Sequence, residues 1–400
     1  MEELCIKCKG RGFCKKPCKL LHILKKFQPK LSLEFSGSSP PEIFVGRYNY
    51  PYIFSGIITP AEHIDSRSFS MPEIWYKEKK NILEILNYRS RMVYSRFLTN
   101  VKGREKLKEK MQELAIASFP VDATFKLKKK PKIKIELDKN VPMIGNPAPV
   151  EKIVIESNIK TYKKVEYLIN DKDVKAEEAL MELYSSKIPV SHIIRLLSAG
   201  LLGLKFQRKL VPTRWAVTAT DNIISEKLLE KIRHYKKIDH YEVFRADYLG
   251  NYYKILLMPY CWSFEVIEVS ERGYFGLGNF WVWHDYEFFY GRKNYAKNVG
   301  GAYYANRLAV AEYLEKIKKQ ASCIILREIR GEYWAPCGVG ILRECCRDAF
   351  RKKPEIFYNL EEAIEEIARR TKIPIQLFLE RSKLLREIKE QKNFHNFFRN

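Results

Sequence analysis

The sequence predicts a mixed α/β (α+β), multi-domain protein headed by a small cysteine-rich module. Three observations carry that expectation. Four hundred residues with 46% hydrophobic content can fill two or three buried cores. Runs of β-branched and aromatic residues cut by Gly and Pro alternate with runs of helical period. Four of the nine cysteines crowd into the first eighteen positions.

Charge narrows the partners. With 72 Lys and Arg against 48 Asp and Glu, the net charge is +24 and the pI about 9.5. Such an excess attracts polyanions, nucleic acid first and an anionic membrane second. No apolar run reaches the roughly 18 residues that a span requires. The opening MEELCIKCKGRG has no apolar signal core, which favours a cytoplasmic chain without a membrane partner.

Cys5, Cys8, Cys14 and Cys18 form CxxC, five residues, then CxxxC. Four thiolates at that spacing can wrap one tetrahedral Zn²⁺, and so short a segment has no core of its own to fold on. Neighbouring Lys7, Lys9, Lys15 and Lys16 favour thiolates. His22 has a ligand-like spacing from Cys18 and is an alternative to one thiol. An iron–sulfur cluster, disulfides and spare thiols are the competing readings.

Ser36 to Pro41 (SGSSPP) reads as a linker. EIFVGRYNYPYIFSGIITP then predicts two strands around a polar loop at Arg47 to Asn49. Arg47 beside a glycine suits a phosphate contact, and an ordinary turn explains it equally well. From Ile74 to Ala117 the period is helical, with Ile82, Leu83, Ile85 and Leu86 on one side and a basic run from Arg89 to Lys110. KLKKKPKIKIELD predicts a half-buried strand with a cationic face, and Val150 to Ile155 another. Asp173 to Ser185 is an amphipathic helix. A second follows, with Pro189 in its first turn and a stop at Gly200.

RKLVPTRWAVTATD (Arg208 to Asp221) reads as turn and strand. Arg214 could pair with phosphate while Trp215 stacks on a base, and Asp221 could act as a base or metal ligand. A buried Trp with a structural Arg–Asp pair is the competing explanation. Further on, EVFRADYLGNYYKILLMP predicts a hairpin turning at Leu249 to Asn251, and CWSFEVIEVS a further strand. GLGNFWVWHDYEFFYGR interleaves aromatic rings with His284, Asp285 and Glu287, the best acid–base cluster in the chain. Gly300 and Gly301 precede a helix to Lys319. EYWAPCGVGILRECCRDAF reads as strand, glycine turn and helix, with Cys337, Cys345 and Cys346 as buried thiols. Helices from Asn359 to Thr371 and from Pro374 to about Glu390 lead to the tail.

That tail, QKNFHNFF, places Phe394, Phe397 and Phe398 within five positions. Clustered rings on a short end suit a partner's apolar pocket. Gln391, Phe394, Phe397 and Phe398 occupy the defining positions of the peptide by which partners bind the PCNA sliding clamp, which this segment resembles. Phe394 stands where that peptide usually has Leu, Ile or Met. The cysteine module, VGRYNYP (Val45 to Pro51), LVPTRW (Leu210 to Trp215) and the tail together resemble the archaeal Nre DNA repair proteins.

The resemblance spans essentially the whole chain. It implies a cysteine module over 1–30, N-terminal and C-terminal family domains over 31–240 and 241–390, and a clamp-binding tail over 391–400. It also implies DNA damage repair, with DNA and the PCNA sliding clamp as partners, and names no catalytic residue. No Walker loop, HExxH or nucleophile elbow announces an enzyme class. Two rival readings stand beside repair: a nuclease or nucleotide-processing enzyme built on His284, Asp285 and Glu287, and an RNA-binding protein.

Overall fold

The computed structural model describes residues 8, 17–18, 20–22, 32–270 and 280–397, with the final helix known by backbone alone from residue 391. Cys5, Cys14 and Phe398 lie outside the described residues, as does the 271–279 segment. The fold is mixed α/β and falls into two units, Glu2–Ile224 with Ala335–Ile341, and Ser225–Trp334 with Leu342–Asn400.

The amino-terminal unit is built on β1 (Glu34–Ser39), β2 (Glu42–Val45), β3 (Tyr52–Pro60), β4 (Met92–Asn100), β5 (Val121–Leu127) and β6 (Asn146–Ile155). They form one six-stranded sheet, ordered β1-β5-β6-β4-β3-β2, in which only β4 and β6 pair in parallel. Strand alternation sends Ile53, Ile57, Val93 and Phe97 to one face, where Met111, Leu114 and Ala115 of the helix Lys106–Ala115 join them in the core. Several such side chains, each contributing about 1.5–3 kcal/mol on burial, make this face the main source of the unit's stability.

Four expectations for this unit need correction. Within the expected Ser36 to Pro41 linker, Ser36 to Ser39 belong to strand β1, and only Pro40 and Pro41 connect it to β2. Ser36 to Ser39 pair antiparallel with Val121 to Thr124, and a Cβ at Gly37 would come within 2.0 Å of Pro60 O. Composition suggested a spacer, but short side chains are what that close approach requires. The helical run from Ile74 to Ala117 is broken. Helices Pro72–Lys77 and Ile82–Ser90 are followed by β4, whose Val93, Ser95, Phe97 and Thr99 alternate inward. The basic residues are therefore dispersed, and Arg89 is buried on Glu42. The lysine-rich run leaves regular structure after Leu127, although Ile135 and Leu137 are buried.

LVPTRW opens a helix, Thr213–Ile232, not a strand. Its Thr and Val content favours strands, yet Ala216, Val217, Thr220 and Ile224 are buried at helical spacing. Pro212 O accepts from the N–H groups of Trp215 and Ala216, at 2.8 and 2.9 Å, and closes the first turn.

The carboxy-terminal unit holds a two-stranded pair, β7 (Lys236–Lys237) with β12 (Lys319–Gln320), and a larger sheet. That sheet comprises β8 (Tyr241–Tyr248), β9 (Asn251–Met258), β10 (Ser263–Ser270), β11 (Trp281–Glu287), β13 (Ser322–Ile329) and β14 (Glu355–Phe357), ordered β11-β10-β13-β9-β8-β14. The β8–β9 hairpin turns at Leu249 and Gly250, as the sequence predicts. One face meets the helix Gly301–Ile317 through contacts such as Phe264 with Tyr303. The other face packs Ile267, Ile324 and Leu256 against Leu360, Ile367, Leu384 and Ile388 of the last helices. The phrase EYWAPC forms no strand before the helix Val339–Ala349. Cys337, Cys345 and Cys346 are buried, and burial pushes the Cys345 and Cys346 thiols well up. The expected last helix is two pieces, Gln376–Leu379 and Lys383–Phe397, and the second continues through Gln391 instead of ending near Glu390. Among the described residues, no helix is long and apolar enough to cross a membrane.

Candidate nucleic-acid interface

Gly46 ends β2 by donating its N–H to Phe54 O at 2.8 Å, and a Cβ there would lie only 2.8 Å from the same oxygen. The close approach forces the chain into a tight excursion, Arg47–Asn49, in which Asn49 takes a left-handed backbone (φ 61°). Arg47, Tyr48, Asn49 and Tyr50 are all exposed. Two backbone bonds then align this turn with two other segments. Val101 N donates to Pro51 O at 3.0 Å, and Leu210 N donates to Val101 O at 2.9 Å. Val45 N also donates to Thr213 Oγ1 at 2.9 Å. The phrases VGRYNYP and LVPTRW, which begin 165 positions apart at Val45 and Leu210, thus meet at one end of the sheet.

Each part is anchored from below. Lys108 is buried, and its Nζ donates to Val101 O and Gly103 O at 3.0 and 2.8 Å, which holds the Asn100–Gly103 turn. Burial lowers its ammonium pKa, so the two carbonyls replace water around a group that has lost it. Arg214 is 6% exposed, pairs through Nε with Asp138 Oδ2 at 2.7 Å, and stands 5.2 Å from the Phe44 ring centroid. Its guanidinium is a structural strut, as the competing reading held, although with Asp138 and not Asp221 as the carboxylate. Trp215 points the other way. It is 48% exposed and lies 5.6 Å from the Tyr50 ring, at 44° between planes. Trp215 therefore meets Tyr50 of the Arg47 turn at the surface, while Arg214 is buried.

Around this end, Arg47, Lys102, Arg104 and Lys209 are exposed, and none forms an ion pair among the described residues. Many of the protein's other cations are neutralised locally, as Arg91 is by Glu62 and Arg89 by Glu42. The same face of the sheet exposes Tyr52 and Phe54 on β3, with Arg96 of β4 set 4.3 Å from the Phe54 ring. Sequence reading passed over these rings. The signal was present as Tyr48, Tyr50, Tyr52 and Phe54, aromatic at every second position, a spacing that would set them all on one side of an extended chain.

His284, Asp285 and Glu287 do not converge. They lie on β11, where alternation turns His284 to one face and Asp285 and Glu287 to the other. His284 Nε2 is 2.6 Å from Glu265 Oε1. Asp285 accepts from Arg292 Nη2 at 3.0 Å and from the backbone N–H groups of Asn298 and Val299. Glu287 accepts from Trp262 Nε1 at 3.2 Å and pairs with Arg307 Nη1 at 2.8 Å. Asp285 and Glu287 thus already accept from protein donors, and the three side chains do not face one shared space. Asp221 is fully buried within its helix.

Among the described residues, no group of three or more His, Cys, Asp and Glu side chains is arranged to hold a metal. Of the cysteine module, Cys8 is buried, Cys18 is half-buried, and His22 is exposed one helical turn beyond Cys18, its N–H donating to Cys18 O at 3.1 Å. Gln391, Phe394 and Phe397 fall on the backbone of the helix Lys383–Phe397.

Comparison with known proteins gives a consistent family. The model for the archaeal Nre N-terminal region matches residues 13–275, and that for the C-terminal region matches residues 287–397. The chain is 36% identical over 386 residues to DNA repair protein NreB of Archaeoglobus fulgidus, covering 96% of this chain and 97% of that one. It is 35% identical to DNA repair protein NreA of the same organism, covering 92% and 93%. It is 32% identical to DNA repair protein NreA of Haloferax volcanii, covering 87% of each. No solved structure matches the chain.

Proposed function

Because the chain belongs to the archaeal Nre family, we propose that it acts in DNA repair, gripping DNA at the turn cluster of its amino-terminal unit and docking on the PCNA sliding clamp through its tail. The observation that carries the DNA contact is the meeting of the Arg47, Asn100–Gly103 and Thr213 segments. It gathers Arg47, Lys102, Arg104 and Lys209 without carboxylate partners among the described residues. Unneutralised cations release condensed counterions from a phosphate backbone, and this supplies affinity without reading sequence. Arg214 serves the site by holding the start of its helix in place, while Arg47 and Trp215 make the contact.

In this reading Gln391, Phe394, Phe397 and Phe398 enter the clamp's pockets. Cys5, Cys8, Cys14 and Cys18 hold one Zn²⁺, whose contribution is to fold a segment too short to bury a core. The relatives' names, the spacing of the tail and the four thiols support it.

The test is DNA binding by the full chain across a salt series. Affinity should fall steeply as salt rises. Arg47→Glu combined with Lys209→Glu should weaken binding by about tenfold or more and flatten the salt slope by about two. Binding that ignores both salt and these substitutions would remove the turn cluster from the DNA contact.

A further inference from the structure

Resting on that DNA-binding reading, we infer that the ring-bearing face takes single-stranded DNA, with unpaired bases stacked on its aromatic side chains. Tyr48, Tyr52, Phe54 and Trp215 are 71%, 60%, 44% and 48% exposed, and Tyr50 is 41% exposed against Trp215. Exposed rings gathered on one surface, unlike rings scattered singly, mark a contact site. Two features make nucleic acid the occupant. The rings are interleaved with cations, since Arg96 Cζ sits 4.3 Å from the Phe54 ring and Arg47 Cζ 5.6 Å from that of Tyr48. Arg47, which forms no ion pair among the described residues, lies in the same turn as Tyr48 and Tyr50, so the surface is apolar in its planes and positive between them.

Strand geometry then selects the form of DNA. Tyr52 and Phe54 are two residues apart on one face of β3, so their attachment points are about 6.7 Å apart. Stacked bases rise about 3.4 Å per nucleotide, so rings at twice that interval fit bases pulled apart rather than bases in a helix. A duplex presents sugar and phosphate along its sides and hides the flat faces of its bases, which would leave these rings uncovered. Unpaired bases offer a π-face whatever their identity, so the surface binds without regard to sequence. Tyr52 lies opposite Asn100 and Phe54 opposite Leu98 in the sheet register, which anchors the rings on a rigid element.

The experiment uses the full chain and fluorescein-labelled oligonucleotides of one sequence, as single-stranded DNA, as duplex DNA and as RNA. Single-stranded DNA should bind about tenfold more tightly than duplex and should quench indole fluorescence, a response lost in Trp215→Phe. Tyr52→Ala with Phe54→Ala should weaken single-strand binding by about tenfold or more, at unchanged melting temperature, and leave duplex binding within about twofold. Trp215→Ala gives an independent check at a second ring. Duplex affinity equal to that for the single strand, ring variants that bind single strands normally, or tighter binding of RNA would each overturn the inference. In those cases the salt-dependent DNA grip still stands, whereas failure to bind any DNA would remove both.

Discussion

His192 is a buried imidazole in the helix Val190–Ser198, and its Nε2 has no hydrogen-bond partner among the described residues. Desolvation, followed by the nearby Arg195 charge, holds its pKa well below the ordinary value of 6.5. The folded chain therefore keeps this ring neutral, while the unfolded chain protonates it below about pH 6.5. Stability contributed this way is intact above pH 6.5 and falls by about 1.4 kcal/mol per unit as the pH drops, until the folded-state pKa is reached. His192→Asn should remove that slope from acid unfolding curves, and an unaltered slope would assign the acid lability elsewhere. The contrast between Arg214 and Arg47 belongs to the same scale. Arg214→Ala strands Asp138 and leaves a buried gap, so it should cost roughly 2–4 kcal/mol. Arg47→Ala touches nothing buried and should leave the melting temperature where it was.

Glu265 shows how one carboxylate can organise elements. It is fully buried on β10, accepts from Ser382 Oγ and from the N–H groups of Lys383 and Leu384 at 2.7 and 3.4 Å, and meets His284 Nε2 at Oε1, the oxygen that also takes the Lys383 N–H. It thus caps the start of the helix Lys383–Phe397, where unsatisfied N–H groups and the helix dipole favour a negative charge. Glu265→Ala should cost about 2–4 kcal/mol and raise hydrogen exchange at residues 384–390 first. Exchange that rises evenly through the unit would argue against a local cap. How legible such elements were in the sequence depends on what fixes them. The hairpin at Leu249 and Gly250 and the strands around Arg47 announce themselves through local turn chemistry. Ser36 to Ser39 became a strand because β5 supplied its hydrogen bonds, and Thr213 began a helix because Pro212 and a buried stripe outweighed local propensity. Neither cause lies within the segment itself. The same holds for the site. Arg47 and Trp215 were readable as candidates, but the inward turn of Arg214 depends on Asp138, 76 residues away.

On the scale of the whole chain, the proposed zinc module and the proposed clamp peptide can each be tested against the stability of the rest of the protein. Protein purified without chelator should hold one zinc per chain by elemental analysis, and Cys5→Ser with Cys8→Ser should lose it while melting of the remaining chain changes little. Zinc absent from the intact protein would end that assignment. Deletion of residues 391–400 should abolish binding to the sliding clamp in calorimetric titration and leave thermal stability unchanged, because among the described residues the core contacts of the last helix run through Leu384, Leu385 and Ile388. Phe397→Ala with Phe398→Ala should match the deletion, and Gln391→Ala should weaken binding by less. A large drop in melting temperature on deletion would place the tail inside the core instead.

The continuity of the helix Lys383–Phe397 has a mechanical corollary. If the tail docks as proposed, a clamp ring held at the end of a continuous helix takes its compass bearing from Glu265 at the helix's root. Each residue inserted after Lys389 advances the rod by about 1.5 Å and rotates its tip by about 100°, and seven inserted residues bring it back to within about 20° of where it began. Affinity for the clamp would ignore such insertions, whereas any task that needs the ring and the bound DNA in register would rise and fall with the turns of the helix.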